Sequence, residues 1–141
     1  MSIVLDSSAT LAWLHEDEHA DGVDTLFEQV ATSGAVAPVH WPLEVANALT
    51  AAVRSKRISA DQRAEFLANL ARLDIVTDTH TNAHVWGATL RLTDAYGLTV
   101  YDAAYLELAQ RLRVPLATLD KELAAAAQKA GVEVCPKVAG P

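Results

Sequence analysis

Three observations predict an α/β chain with a parallel sheet of five strands, flanked by about seven helices. Short apolar runs alternate with amphipathic, helix-length segments along the whole sequence. The apolar runs are continuous, as in strands covered on both faces. Capping and stopping residues stand where one kind of segment gives way to the other.

Residues 2–6, SIVLD, read as a buried strand ending in Asp6. SSATLAWLHE follows as a helix with a Ser cap near Ser8 and apolar Leu11 and Leu14. Asp-Gly at 21–22 breaks the chain. Val23, Leu26, Phe27 and Val30 recur at helical spacing and predict a helix over 23–32. AVAP, 35–38, is a second strand. Pro42 suits the first position of a helix over 42–57, because proline lacks the amide that would go unbonded there. Ser59 and Gln62 form a capping box for 59–73, with Phe66, Leu67, Leu70 and Leu73 as its apolar stripe. DIVT, 74–77, is a third strand, and Thr81 opens a helix that runs to Tyr96 and stops at Gly97. LTV leads into YDAAYLELAQRLR, 101–113. LATL, 116–119, is a fourth strand, DKELAAAAQKAG a helix closed by Gly131, and VEVC, 132–135, a fifth strand. Repeats, low-complexity tracts and linkers are absent from this pattern, which predicts one domain over 1–141.

The chain has 141 residues, 51% hydrophobic and 21% charged, a globular profile. No apolar run approaches the roughly 20 residues that span a bilayer, so no membrane association is expected. The N-terminus lacks a basic region of the secretory kind, and the single cysteine, Cys135, cannot pair internally. A cytoplasmic protein is expected, with Cys135 a small apolar strand residue. A net charge of −7 disfavours bulk electrostatic coating by nucleic acid. Arg54, Lys56, Arg57 and Arg63 nevertheless cluster, and read either as a solvated corner between helices or as a phosphate-contacting patch.

His15-Glu16-x-x-His19 matches the zinc-peptidase pattern, which needs both histidines on one helical face. The first helix ends near His15, and His19 lies at the break before Gly22. Glu16, Asp17 and Glu18 form a charge run suited to water, and no third ligand stands out downstream. The zinc reading is therefore a remote alternative. His80 and His84 repeat the spacing, with Thr81 expected as a helix cap between them.

The carboxylates carry a stronger signal. Ligands of a parallel α/β sheet bind beyond the carboxyl ends of its strands. Asp6 ends the first strand, and Glu44 lies in the first turn after the second. Asp102 opens the helix after LTV, and Asp120 ends the fourth strand. Asp102 and Asp120 could each serve only as a helix cap, and Glu44 could serve only the helix dipole. Together they predict a shared rim. Two carboxylates about 5 Å apart repel by roughly 3 kcal/mol at an effective dielectric of 20. Four therefore call for protonation or a cation. All-oxygen ligands select Mg²⁺ or Mn²⁺, and such a site suits phosphodiester hydrolysis.

IVLDSSATLAWL, PLEVANAL, LTVYDAAYLELAQRL and LATLDKELAAAA, in this order, resemble the PIN-domain family. More narrowly, they resemble its VapC-like ribonuclease toxins. The resemblance spans nearly the whole chain, and its specificity lies in the ordered set. It implies a five-stranded parallel sheet with an acidic Mg²⁺/Mn²⁺ site that hydrolyses RNA. Asp6, Glu44, Asp102 and Asp120 match the acidic quartet. Thr118 matches the hydroxyl residue two before the last Asp; Asn47, on the Glu44 face, and Ser7, beside Asp6, are candidate supports. The resemblance also implies a homodimer and a VapB-like antitoxin whose tail covers the site.

A haloacid-dehalogenase-type phosphatase needs a second Asp where Ser8 stands, and a receiver domain needs paired acids after strand one; both are missing. A non-catalytic PIN-like module, binding RNA or protein, usually has a broken quartet, whereas this one is intact.

Overall fold

The computed structural model describes residues 2–14 and 22–136. Its strands are β1 (Val4–Leu5), β2 (Ala35–Ala37), β3 (Ile75–Thr77), β4 (Leu116–Ala117) and β5 (Val134–Cys135). They form one sheet in the order β3-β2-β1-β4-β5, every pair parallel. Val4 lies opposite Val36 on one side and Leu116 on the other. β1 is thus central, with all its residues buried. β3 is an edge strand, which explains why Val76 within its apolar run is 57% exposed.

The helices are α1 (Ser7–Leu11, continued by a 3₁₀ turn over Ala12–Leu14), α2 (Val23–Ser33), α3 (Trp41–Arg54) and α4 (Ala60–Ala71). After β3 come α5 (Thr81–His84), a π-helical turn (Val85–Thr89) and α6 (Leu90–Tyr96), then α7 (Val100–Leu112) and α8 (Lys121–Lys129). With the run from Thr81 to Tyr96 counted once, the described residues contain the seven helices expected. α7 is the helix of the core: Ala103, Ala104, Tyr105, Leu106, Glu107, Leu108 and Ala109 are all buried. The buried Glu107 accepts from Arg111, which also reaches Asp78 beyond β3 at 2.8 Å. No described helix is long and apolar enough to cross a membrane.

Several helix starts differ from the expected ones. Asp6, not Ser8, caps α1, because its carboxylate is better placed to accept the Ala9 amide. Asp102 does not open α7. Thr99 caps that helix through a bond from the Asp102 amide, which leaves the Asp102 carboxylate uncommitted to capping. Thr81 follows the α5 cap, which is His80; its hydroxyl donates to Asp78 instead. His80 and His84 are therefore the cap and the last residue of α5. Pro42 is the second residue of α3 rather than the first. The capping box at Ser59 and Gln62 forms as expected. The α4 stripe is shallow: Leu70 is buried while Leu67 is exposed. His15, Glu16 and His19 lie outside the described residues. Arg54, Lys56 and Arg57 are exposed where α3 turns toward α4, and Arg63 donates to Thr50 at 3.4 Å.

Candidate active site

β1 and β4 are neighbours, and the chain leaves β1 toward β2 on one side before returning to β4 on the other. The reversal opens a crevice beyond their carboxyl ends, where α/β sheets bind ligands. Asp6 follows β1 directly, and its amide still bonds to Ala117 of β4 at 3.1 Å. Thr118 follows β4 and donates to Asp6 Oδ2. Ser8 donates to Asp6 Oδ1 at 2.7 Å, and the Ala9 amide donates to the same oxygen at 2.8 Å. Each hydroxyl has one proton, so Ser8 and Thr118, 3.3 Å apart, both spend theirs on Asp6. Their lone pairs accept the Leu119 and Asp120 amides at 2.9 and 3.0 Å. This network ties the β1 end to the β4–α8 turn. Asp6 is only 4% exposed, and burial pushes its carboxyl up to about 6 despite these donors; Asp102 adds to the rise.

Asp120 caps α8, accepting from the Leu123 amide at 3.0 Å. Asp102, half-buried in the first turn of α7, is raised above the ordinary range by burial, then by Asp120 and by Glu44. Glu44, in the first turn of α3, accepts from the Tyr105 hydroxyl at 2.5 Å. Trp41 donates to Thr10 at 3.0 Å and pins the start of α3 to α1. The Tyr105 phenol is raised far above its usual value, by burial and by Glu44, and stays a donor. Asp102 thus links the four electrostatically, raising Asp6 and being raised in turn by Asp120 and Glu44.

The four do not close into a cage. Among the described residues no three His, Cys, Asp or Glu side chains are gathered tightly enough to hold an ion as they stand. Like charges repel, and Asp6, Glu44 and Asp120 each face a donor of their own. The donor set is nonetheless all carboxylate oxygen, which fits a hard divalent cation. Of the supporting candidates, Thr118 is in the network, and Ser7 stands near the Tyr105 hydroxyl. Asn47 is exposed and makes no side-chain hydrogen bond among the described residues. It stands on the Glu44 face of α3, three residues further along.

Three residues at the site were not singled out from the sequence. Ser8 bonds Asp6 where Ser7 was favoured. Tyr105 carries a signal in hindsight, because it is three residues from Asp102 and so shares its helical face. His40 donates from Nε2 to the Tyr101 carbonyl at 3.1 Å, and that nitrogen lies 3.7 Å from Glu44. Its ring meets the Tyr105 ring edge-on at 5.0 Å. Only the folded chain brings His40 to α7.

The PIN-domain family model matches residues 3–129. Ribonuclease VapC3 of Pyrobaculum aerophilum is 30% identical over 124 residues, covering 88% of this chain and 93% of that protein. The crystal structure of PAE2754, also from Pyrobaculum aerophilum, superposes with a TM-score of 0.67 at 22% identity, covering 95% of this chain and 92% of that one. A toxin-antitoxin complex from Klebsiella pneumoniae superposes with a TM-score of 0.59 at 16% identity, covering 87% and 90%. With its parallel sheet, its acidic rim and a model match over nearly its whole length, the chain belongs to the PIN-domain family.

Proposed function

We propose that the chain is a metal-dependent ribonuclease toxin of the VapC kind, hydrolysing RNA phosphodiester bonds at Asp6, Glu44, Asp102 and Asp120. The observation that supports this reading is the electrostatic coupling of Asp102 with Asp6, Asp120 and Glu44, four carboxylates from separate segments. The name of the curated relative, a ribonuclease, supports it. Structural use explains only part of the rim, since Asp102 does not cap α7 and burial, Asp120 and Glu44 outweigh the hydrogen bond its carboxylate receives from Thr99.

Asp6, Glu44, Asp102 and Asp120 would hold Mg²⁺ or Mn²⁺, which supplies an activated water and charge stabilisation at phosphate. The chain's own part is to aim those carboxylates. Ser8 and Thr118 hold Asp6, the α8 start holds Asp120, and the Thr99 hydroxyl, which accepts the Asp102 amide, also bonds the Asp102 carboxylate. The Asp6 carboxyl, at about 6, must lose its proton before it can serve as a ligand, so activity should rise through that pH.

The partners proposed are RNA, a second copy of the chain and a VapB-like antitoxin whose tail covers the rim. The toxin-antitoxin complex among the structural relatives is consistent with the last of these. Cleavage of a labelled RNA pool, with Mn²⁺ and with EDTA, on protein freed of any partner, tests the activity. Cleavage that needs Mn²⁺ is expected. Cleavage that persists in EDTA overturns the metal assignment, and RNA binding without cleavage leaves a non-catalytic module.

A further inference from the structure

We propose that Tyr105 is a positioning residue of the acidic site, tethering the Glu44 carboxylate from the core so that its second oxygen is presented to a divalent cation. The proposal rests on the ribonuclease reading above, in that Glu44 is taken as a ligand.

The geometry of the tether is one-sided. Tyr105 is 1% exposed, so its ring belongs to the core, yet its hydroxyl reaches Glu44 Oε1 at 2.5 Å. A phenol can only donate to a carboxylate, which commits Oε1 and leaves Oε2 for another partner. Glu44 sits on α3 and Tyr105 on α7, so the bond spans two helices that each bring a carboxylate to the rim. Asp102 and Tyr105 share a face of α7, and any shift of that helix moves one carboxylate and the tether of the other together. The His40 ring closes against the Tyr105 ring edge-on at 5.0 Å and narrows the freedom of the phenol.

A buried tyrosine needs some acceptor, and a bond made for that purpose alone would serve the core. Two features favour the site. Asp6 is held in the same manner, by the hydroxyls of Ser8 and Thr118. Glutamate also has a longer and more mobile side chain than aspartate, so it needs a tether most. Outer partners of metal ligands typically contribute 10- to 100-fold in metal affinity.

The test is a double-mutant cycle on Mn²⁺ binding, measured by calorimetry on the full chain, with metal-free melting curves to show folding. Tyr105→Phe keeps the ring and removes only the hydroxyl. It should weaken Mn²⁺ binding about tenfold. Glu44→Gln should weaken it at least as much. The double variant should bind no worse than Glu44→Gln alone, because the tyrosine acts through the glutamate. At saturating Mn²⁺, Tyr105→Phe should recover most of its RNA cleavage, which the loss of a reacting group would not allow. Mn²⁺ binding by Tyr105→Phe within twofold of the wild type, while Glu44→Gln loses it, overturns the tether and spares the site. Losses that multiply in the double variant show a second route and overturn it too. Mn²⁺ binding that ignores Glu44→Gln overturns the ribonuclease site, and the tether with it.

Discussion

Two aspartates that look alike in the sequence have different duties in the fold. Asp120 caps α8, whereas Asp102 leaves the capping of α7 to Thr99. Asn caps about as well as Asp, so Asp120→Asn should fold, and Asp102→Asn should fold because that carboxylate does not cap α7. Each should lose activity by roughly 100-fold, the usual cost of one preorganised charge. The metal-free Asp102→Asn variant should be at least as stable as the wild type, since Asp120 and Glu44 disfavour the Asp102 charge. Full activity in both variants would mean that the rim is structural. Asp6 carries a second prediction, from its rise from 3.8 to about 6. Between those values the folded chain holds a proton that the unfolded chain has released, so stability falls as pH rises from 4 to 6. The gap corresponds to roughly 3 kcal/mol. Urea unfolding in EDTA at pH 4, 5, 6 and 7 should show the decline, and Asp6→Asn should flatten it. Stability that climbs over this window in the wild type would contradict the burial of Asp6 as the dominant cause.

At the scale of elements, α7 is fixed at both ends. Its start holds Asp102 and Tyr105, and its far turn carries Arg111, bonded to Glu107 at 2.8 Å and to Asp78 at 2.8 Å. Arg111 holds the Asp78 carboxyl down at about 2, together with the Thr81 hydroxyl and against burial. Arg111→Met should cost about 1–3 kcal/mol at pH 7, because it strands the buried Glu107 carboxylate and the partly buried Asp78. The sign with pH is opposite to that of Asp6. Asp78 stabilises the fold above about 4, and this contribution is lost as pH falls toward 2. Acid titration of the melting temperature should show that limb in the wild type and lose it in Arg111→Met. A variant as stable as the wild type at pH 7 would show that the triad is not coupled to α7. None of this was legible beforehand. Asp78 and Arg111 are 33 positions apart, and each alone reads as a surface charge. The periodicity of 101–113 did reveal α7 itself, and alternation with short apolar runs revealed the sheet. What periodicity lacked was the identity of the caps, which depends on side chains accepting one amide rather than its neighbour.

For the whole molecule, the four rim carboxylates were legible because the strand-end rule concerns backbone topology. Ser8, Tyr105 and His40 were not, because only the packing of α3 on α7 and of β1 on β4 brings them to the rim. The molecule carries a net charge of −7, and its basic corner at Arg54, Lys56 and Arg57 lies at the far end of α3 from Glu44, about 15 Å along the helix. On the ribonuclease reading, RNA would therefore approach an acidic rim with little help from distant charge. Two consequences follow for one preparation. A cation that binds only the folded chain stabilises it by about 2.7 kcal/mol at 100 times its Kd. For a chain of this size that is a rise of roughly 8 °C in Tm. The same concentration of Na⁺ should give no comparable rise. RNA binding should depend weakly on salt, since each phosphate neutralised on a single strand adds about −0.7 to the slope of log K against log salt. A slope no steeper than about −2, or some three phosphates, is expected from a site built on cation and carboxylates. The Asp120→Asn variant, which should leave RNA intact, permits the measurement with Mn²⁺ held constant. A slope steeper than about −4, relieved by neutralising Arg54, Lys56 and Arg57, would show that the corner holds the RNA. The substrate would then have to span the length of α3, and the rim alone would not account for its capture.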